Sequence, residues 1–179
     1  MASVMAAPAR VMAAPVAAPG VAVVDASTPE AFATVLKEMG YEVGPVEQVV
    51  PGVSARFLVK LGQLPVQAVV SGCTNGQGCH LVSMLGGVGK LNVTDAWLAK
   101  TNKTNGLGKV LVNDAGIVLV TYPMFPQGMQ RDALRLALDN FAQSFGVTVR
   151  AAIDAGLISV APAPAGGAPA PAPAPARKP

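Results

Sequence analysis

The sequence predicts a two-layer α+β domain, in which three helices cover an antiparallel sheet of about five strands. Segments with apolar residues at helical spacing stand apart from short segments in which every second residue is apolar. Along the chain they follow the order helix, three strands, helix, two strands, helix. The links between consecutive strands are too short for parallel crossovers, so the sheet is expected to be antiparallel with the helices packed on it.

The first helix is predicted over residues 28–39. Ser27 and Glu30 have the spacing of a capping box, and Pro29 fits the first turn of a helix. Four apolar side chains then recur on one side of the helix, which gives it a face to bury. They are Phe32, Val35, Leu36 and Met39.

Three strands are predicted next, over residues 54–61, 66–71 and 80–85. The first of them, SARFLVKL, places alternate side chains on opposite sides, as a strand does. A weaker strand is predicted within residues 46–50. Residues 86–91, which are rich in glycine, are predicted to form a loop.

The second half of the domain is predicted to contain a helix over 94–103, a hairpin of strands 109–112 and 117–122, and a long helix over 129–145. The sequence NDAG between the two strands is a turn signal. The glycine that follows the long helix is expected to end it. Residues 147–160 fit either a further strand or a further helix.

The two ends of the chain differ in composition from the middle. Residues 1–24 are Ala, Pro, Val and Met with Arg10 as the single charge, so they are predicted to be signal-like or disordered. Residues 161–179 form an Ala-Pro repeat, which favours extended polyproline-like backbone and is predicted to be a disordered spacer. The folded domain is therefore predicted over 25–149, with a short extension over 150–160.

The charge and hydropathy patterns argue against nucleic-acid binding and against insertion in a membrane. The net charge is +3, and Lys and Arg occur singly along the chain rather than in the basic patch that nucleic-acid binding uses. The sequence has no apolar run long enough for a transmembrane helix, so no integral membrane segment is expected. No catalytic set of residues is recognisable, and neither enzyme activity nor a cofactor is expected.

The stretch SGCTNGQGCHL holds the only two cysteines, Cys73 and Cys79, and the only histidine, His80. These are too few ligands for structural zinc, and the Cys-x-x-Cys spacing of haem attachment or thioredoxin-like sites is absent. A disulfide across the turn fits better, because facing residues of a hairpin lie within disulfide range. Such a bond would indicate an oxidising compartment, whereas two reduced thiols in the cytosol are the alternative interpretation.

Three stretches of the chain resemble the YbjN-domain family, and the cysteine element resembles its exported branch. The resemblance runs from Val24 to Val147, and it rests on VVDASTPEAFATVLKEMGY, SGCTNGQGC and WLAKTNKTNGLGKVLVNDAGIVLV. The pair Asn102-Lys103 is similar to an Asn-Arg pair of the family. The chain departs from the family pattern at Thr101, where Trp is usual.

The resemblance implies a fold similar to the small dimeric chaperones of type III secretion. It implies no enzyme activity, since members of the family are described as sensory or stress regulators. Exported members carry a signal peptide that ends just before the stretch similar to VDAS. The resemblance therefore implies a periplasmic or exported protein, with a cytoplasmic location as the alternative.

On these grounds the chain is expected to be a non-enzymatic protein-interaction, chaperone-like or regulatory protein of the bacterial cell envelope. One alternative is a cytosolic regulator that resembles a secretion chaperone. Another is a thiol-redox accessory protein that uses Cys79 beside His80, because an imidazole can lower the pKa of a neighbouring thiol. Trp97, Asn102 and Lys103 are candidate contact residues, although each also fits a structural role in a helix or at its end.

Two predicted strands are apolar on both of their sides, which predicts association. Leu58 stands beside Phe57, and Val118 and Val120 alternate with other apolar residues. Strands that are apolar on both faces need cover on both faces, but three helices cover only one face of a five-stranded sheet well. Leu58 and Val118 or Val120 are therefore expected on a second face that meets another protein or a second copy in a homodimer.

Overall fold

A computed structural model describes residues 23–106 and 108–159. Within these ranges the chain forms three helices and one antiparallel sheet of seven strands, which confirms the predicted α+β class with a higher strand count. The signal-like or disordered segment predicted over 1–24 lies outside the described residues except for its last two positions. The spacer predicted over 161–179 lies outside them entirely.

The sheet is antiparallel throughout, and its strands follow the order β3, β4, β5, β7, β6 from one side to the other. Two short strands, β1 and β2, both pair with β3 and together form the edge beyond it. These two account for the higher strand count, because pieces this short show no alternation in the sequence; β2 matches the weaker strand predicted within 46–50. The strands are β1 (Glu42–Val43), β2 (Glu47–Val50), β3 (Ser54–Leu61), β4 (Leu64–Ser71), β5 (Leu81–Lys90), β6 (Lys109–Val112) and β7 (Ile117–Met124).

Strand β5 continues through the glycines that were predicted to form a loop. It runs to Lys90 and pairs with β7 along its length, with a register shift of the β-bulge type between Gly87 and Gly89. Gly86 is required by close packing, because a Cβ atom at this position would lie 2.5 Å from the ring of Phe145. The glycines therefore mark an approach of a helix to the sheet and a bulge rather than the end of the strand.

The three helices are α1 (Pro29–Glu38), α2 (Asp95–Thr104) and α3 (Arg131–Asp154). The first begins one residue later than the predicted capping box, because the hydroxyl of Thr28, not that of Ser27, accepts the N–H of Ala31 at 3.0 Å. In α2 the hydroxyl of Thr94 accepts the N–H of Trp97 at 3.2 Å. Both helices otherwise occupy the predicted segments.

Helix α3 is 24 residues long and passes through Gly146, where it was predicted to end. A glycine inside a helix costs only about 1 kcal/mol relative to alanine, and this cost is offset when the following turns are packed. Here the buried side of α3 continues through Ser144, Thr148 and Ala152. Of the two structures left open for residues 147–160, the helix is the one that forms, over 147–154, and it ends before Gly156, which has a positive φ of 69°.

All three helices lie on one face of the sheet and share one continuous core with it. Helix α1 packs on β1 and β3, α3 packs on β5 and β7, and α2 lies next to β6. Aromatic contacts join α1 to β3 and α3 to β7. The ring of Phe32 lies 6.2 Å from that of Phe57, and the ring of Phe141 meets that of Tyr122 edge-on at 6.5 Å.

The close fit of α3 on β5 leads to a prediction about two neighbouring glycines. Gly86→Val places a side chain against Phe145 and Phe141, so it should lower the free energy of unfolding by about 1–3 kcal/mol, as overpacked cores do. Gly87→Val on the opposite face is the matched control, since the nearest atom to its Cβ is Leu119 Cδ2 at 3.9 Å. Urea unfolding of both variants measures the difference, and equal stability of the two would contradict this packing.

Candidate interaction surface

The face of the sheet that carries no helix is the candidate functional site, and it is here called the open face. Every second residue of β3, β4, β5 and β7 points toward it, because their alternate neighbours are buried under the helices. The apolar side chains on the open face include Leu58, Val69, Leu81, Leu85, Leu111, Ile117 and Leu119.

Leu58 is the most exposed of these side chains, with 59% of its surface accessible. Its neighbour across the sheet is Gly44, whose N–H donates to the carbonyl oxygen of Leu58 at 2.9 Å and which has no side chain to cover it. Gly44 lies in the break between β1 and β2. Because the edge strand is broken at this point, no side chain of the edge covers Leu58.

Two ion pairs flank Leu58 on the open face. Lys60 Nζ lies 2.8 Å from Glu42 Oε1, and Arg56 Nε lies 3.1 Å from Glu47 Oε2. All four side chains are largely exposed, so the pairs contribute little to stability. Their effect is to cancel the charge on both sides of Leu58, which leaves an apolar centre with a neutral border.

Hollows with volumes of about 170, 340 and 320 Å³ meet at Leu58 on the open face. The first lies toward β1 and the second toward β2. The third lies over the middle of the sheet, where Leu85 and Leu119 form its walls and Gly87 leaves room for it. Leu58 is therefore a raised apolar side chain beside depressions that are partly apolar.

Val118 and Val120 do not belong to the open face, and this part of the prediction is wrong. Both are fully buried under the helices, at 0% exposure. The residues of β7 that point to the open face are Ile117, Leu119 and Thr121, one position out of phase with the prediction. Leu58, in contrast, lies on the predicted second face.

Trp97 lies between α2 and α3 rather than on the open face. It is half-buried, and its indole N–H donates to the carbonyl oxygen of Ala151 at 3.3 Å. This contact holds the two helices together, so the side chain serves the structural role that its helical position also allowed. Lys103, on the same helix, is exposed.

Asn102 binds the backbone of β6 at the outer edge of the sheet. Its Nδ2 donates to the carbonyl oxygen of Val110 at 2.9 Å, and its Oδ1 accepts the N–H of Val110 at 2.7 Å. The carboxamide thus makes the pair of hydrogen bonds that an added strand would make. Because exposed strand edges invite pairing with other chains, the side chain protects this edge.

The opposite edge of the sheet, formed by β1 and β2, is irregular. Strands β1 and β2 are separated by residues 44–46, the pairing of β2 shifts register between Gln48 and Val50, and Pro51 follows. Breaks, bulges and prolines all disfavour the addition of a further strand. Both edges of the sheet are therefore poor sites for association, whereas no helix or strand in the described part of the chain covers the open face.

Cys73 and Cys79 form a disulfide, with their Cα atoms 4.0 Å apart. The loop that they close also receives other parts of the chain, because the N–H of Cys79 donates to the carbonyl oxygen of Ser27 and that of Cys73 to Val53. The imidazole of His80 lies against Gly72, where a Cβ atom would collide with the ring. A disulfide is typical of an oxidising compartment.

A buried polar cluster between α2 and α3 was not predicted. Asn105 Nδ2 donates to Thr148 Oγ1 at 3.0 Å, and Ser144 Oγ donates to the carbonyl oxygen of Asn105 at 3.2 Å. Thr148 and Ser144 replace apolar residues in the buried stripe of α3, and this replacement was the only available signal. The cluster joins the end of α2 to α3 and lies away from the open face.

Among the described residues, Asp25 and Tyr41 have shifted pKa values, and both lie off the open face. Burial raises the pKa of the Tyr41 hydroxyl, which packs beside Arg135. Hydrogen bonds from Ser27 hold the pKa of the Asp25 carboxyl below its ordinary value. Within residues 23–106 and 108–159, no three His, Cys, Asp or Glu side chains come together as a metal site would require.

None of the helices in the described part of the chain is both long enough and apolar enough to cross a membrane. Comparison of the chain with family models, with curated proteins and with solved structures found no match.

The contact between Asn102 and β6 gives a test of edge protection. Asn102→Ala removes two hydrogen bonds from the backbone of Val110, so it should lower the free energy of unfolding by about 1–3 kcal/mol. The higher helix propensity of alanine offsets part of this loss. The variant should also aggregate faster on heating, because the β6 edge is then free.

Lys103→Ala on the same helix is the control for this substitution, and its stability should stay within about 0.5 kcal/mol of the unaltered chain. Chemical unfolding and light scattering measure the two effects. If Asn102→Ala and Lys103→Ala gave the same stability and the same aggregation rate, Asn102 would not protect the β6 edge.

The disulfide gives a second test. Replacing Cys73 and Cys79 together by alanine should lower the free energy of unfolding by about 2–2.5 kcal/mol, the loop-closure value for cysteines six positions apart. A reductant should destabilise the unaltered chain by a similar amount and leave the double variant unchanged. Protein isolated from its own compartment should gain two hydrogens in mass on reduction. Free thiols in that protein would contradict the bond.

Proposed function

We propose that this chain is a non-enzymatic protein-interaction domain of the bacterial cell envelope, and that the open face is the surface through which it binds protein. The observation that carries the proposal is the exposure of Leu58, at 59%, in an apolar sheet face that no described element covers. Burying such a face against another protein surface is favourable, and monomeric proteins rarely leave large apolar patches uncovered.

The composition of the open face favours a protein partner over a charged ligand. Its centre is aliphatic, and the charged side chains around Leu58 occur as neutral pairs. An apolar centre with a polar border is the usual arrangement of a protein–protein interface. The blunted edges leave face packing as the more accessible mode of association.

The cell envelope is proposed as the location because the cysteines are bonded and because the cysteine element resembles the exported YbjN branch. The same disulfide argues against the cytosolic alternative, a regulator that resembles a secretion chaperone, since such bonds are rare in the cytosol. The thiol-redox alternative has less support. With both sulfurs bonded to each other, His80 has no thiol to activate, and its ring lies on Gly72.

Photocrosslinking from two positions of equal exposure tests the proposal. The photoreactive residue p-benzoylphenylalanine replaces Leu58 on the open face in one variant and Leu136 on the outer side of α3 in the other; these leucines are 59% and 61% exposed. Irradiation of cells that produce the full chain should give a protein adduct from position 58 and little from position 136.

The comparison controls for exposure and for the chemistry of the probe, because only the location differs. Both variants should fold as the unaltered chain does, which circular dichroism checks, since neither leucine belongs to the core under the helices. If position 58 yields no adduct, or if position 136 yields as much, the open face is not a protein-binding surface.

A further inference from the structure

The shape of the open face matches a copy of itself. Leu58 projects from β3, and the hollow of about 320 Å³ lies beside it over β4, β5 and β7. When a projection and a hollow lie side by side on one face, two copies related by a two-fold axis can each insert the projection into the other's hollow. A two-fold axis along β4 brings β3 of each copy over β5 of the other, so that Leu58 meets the partner copy's wall of Leu85 and Leu119.

The residue at that axis is also self-complementary. Gln67 lies on β4 directly opposite Leu58 on one side and Leu85 on the other, in the same row of the sheet. A carboxamide carries both hydrogen-bond donors and acceptors, so two copies of it can bond each other across a two-fold axis. A carboxylate or an ammonium group at this place would instead repel its own copy.

The border of the face allows the same approach. The charges next to Leu58 are already paired within the chain, Lys60 with Glu42 and Arg56 with Glu47. Two identical faces therefore meet without a net charge at this border that would drive them apart. The other charged side chains on the open face, Lys90 and Lys109, lie at the end of β5 and on the outer strand β6, away from this border.

The size of the face suits a stable dimer. Strands β3, β4, β5 and β7 are each about 4.8 Å wide and have at least eight residues of about 3.3 Å, so they give a face of about 19 by 26 Å, which is about 500 Å² in projection. The accessible area that follows the side chains is larger than this projection. The projection alone is of the same order as the roughly 800 Å² per partner of standard protein–protein interfaces.

We infer that the partner of the open face is a second copy of this chain, packed sheet on sheet about a two-fold axis along β4. The inference rests on the proposed function and names the occupant of the same surface. The two sheets lie about 10 Å apart, as in other aligned sheet packings. The leucines of the two copies interdigitate, and the Gln67 carboxamides face each other at the centre.

Sedimentation of the full chain with its disulfide intact tests the dimer. The unaltered chain should sediment as a dimer at tens of micromolar. Leu58→Lys should raise the dissociation constant by about thirtyfold or more, the loss typical of a central interface residue. Leu136→Lys is the matched control and should leave the constant within about twofold. The inference would be overturned if the unaltered chain sediments as a monomer at tens of micromolar, or if both substitutions change the dissociation constant equally.

A cross-linking measurement locates the axis independently. Gln67→Cys should be joined to its copy by a short bismaleimide, because the two positions face each other, whereas Leu136→Cys should not. The native cysteines are bonded to each other and do not react with maleimide. A dimer that forms without a Gln67→Cys cross-link would overturn the proposed axis.

The photocrosslinking experiment separates the two proposals. An adduct from position 58 with twice the mass of the chain supports both of them. An adduct with a different protein, from a chain that sediments as a monomer, overturns the second copy and leaves protein binding in place. No adduct of any mass from position 58 overturns both.

Discussion

Phe141 of α3 meets Tyr122 of β7 edge-on and lies close above Gly86 of β5, and this contact fixes how near the helix comes to the sheet. With α3 this close, every second side chain of β5 and β7 is sealed from water. Helix α1 extends the same layer over β3 through the contact of Phe32 with Phe57. Because both helices lie on one side, the remaining half of each strand's side chains must face away from them. The open face is a direct result of this one-sided cover.

The sequence allowed the class, the order of the elements and the position of Leu58 to be predicted, but not the orientation of β7. In β3 the charged residues Arg56 and Lys60 mark the outer side, so the alternation can be assigned to faces from the sequence. In β7 both sides are equally apolar, with valines on one and Ile117 and Leu119 on the other. Only the pairing of Val120 with Gly86 under α3 decides which side is buried, and that pairing joins residues that are far apart in sequence.

The length of α3 and the role of Asn102 were missed for related physical reasons. The buried side of α3 changes from leucine and phenylalanine to serine, threonine and alanine after Phe141, so its apolar period fades while its packing continues. Asn102 has no local signal at all, because its hydrogen bonds reach Val110 on the next strand. Glycines in β5 gave a misleading signal, since a residue that permits close packing looks in sequence like one that permits a turn.

The loop closed by Cys73 and Cys79 joins parts of the chain that lie far apart in sequence. The N–H of Gly76 donates to the carbonyl oxygen of Gly52, and that of Cys79 donates to Ser27 at the start of α1. The bond itself needs only neighbours six positions apart, so the entropy of bringing its ends together is small. Oxidation can therefore precede the assembly of the sheet during biogenesis. Once oxidised, the loop offers a preformed platform to the segments that dock on it, whereas a chain that stays reduced must organise the platform and the segments together.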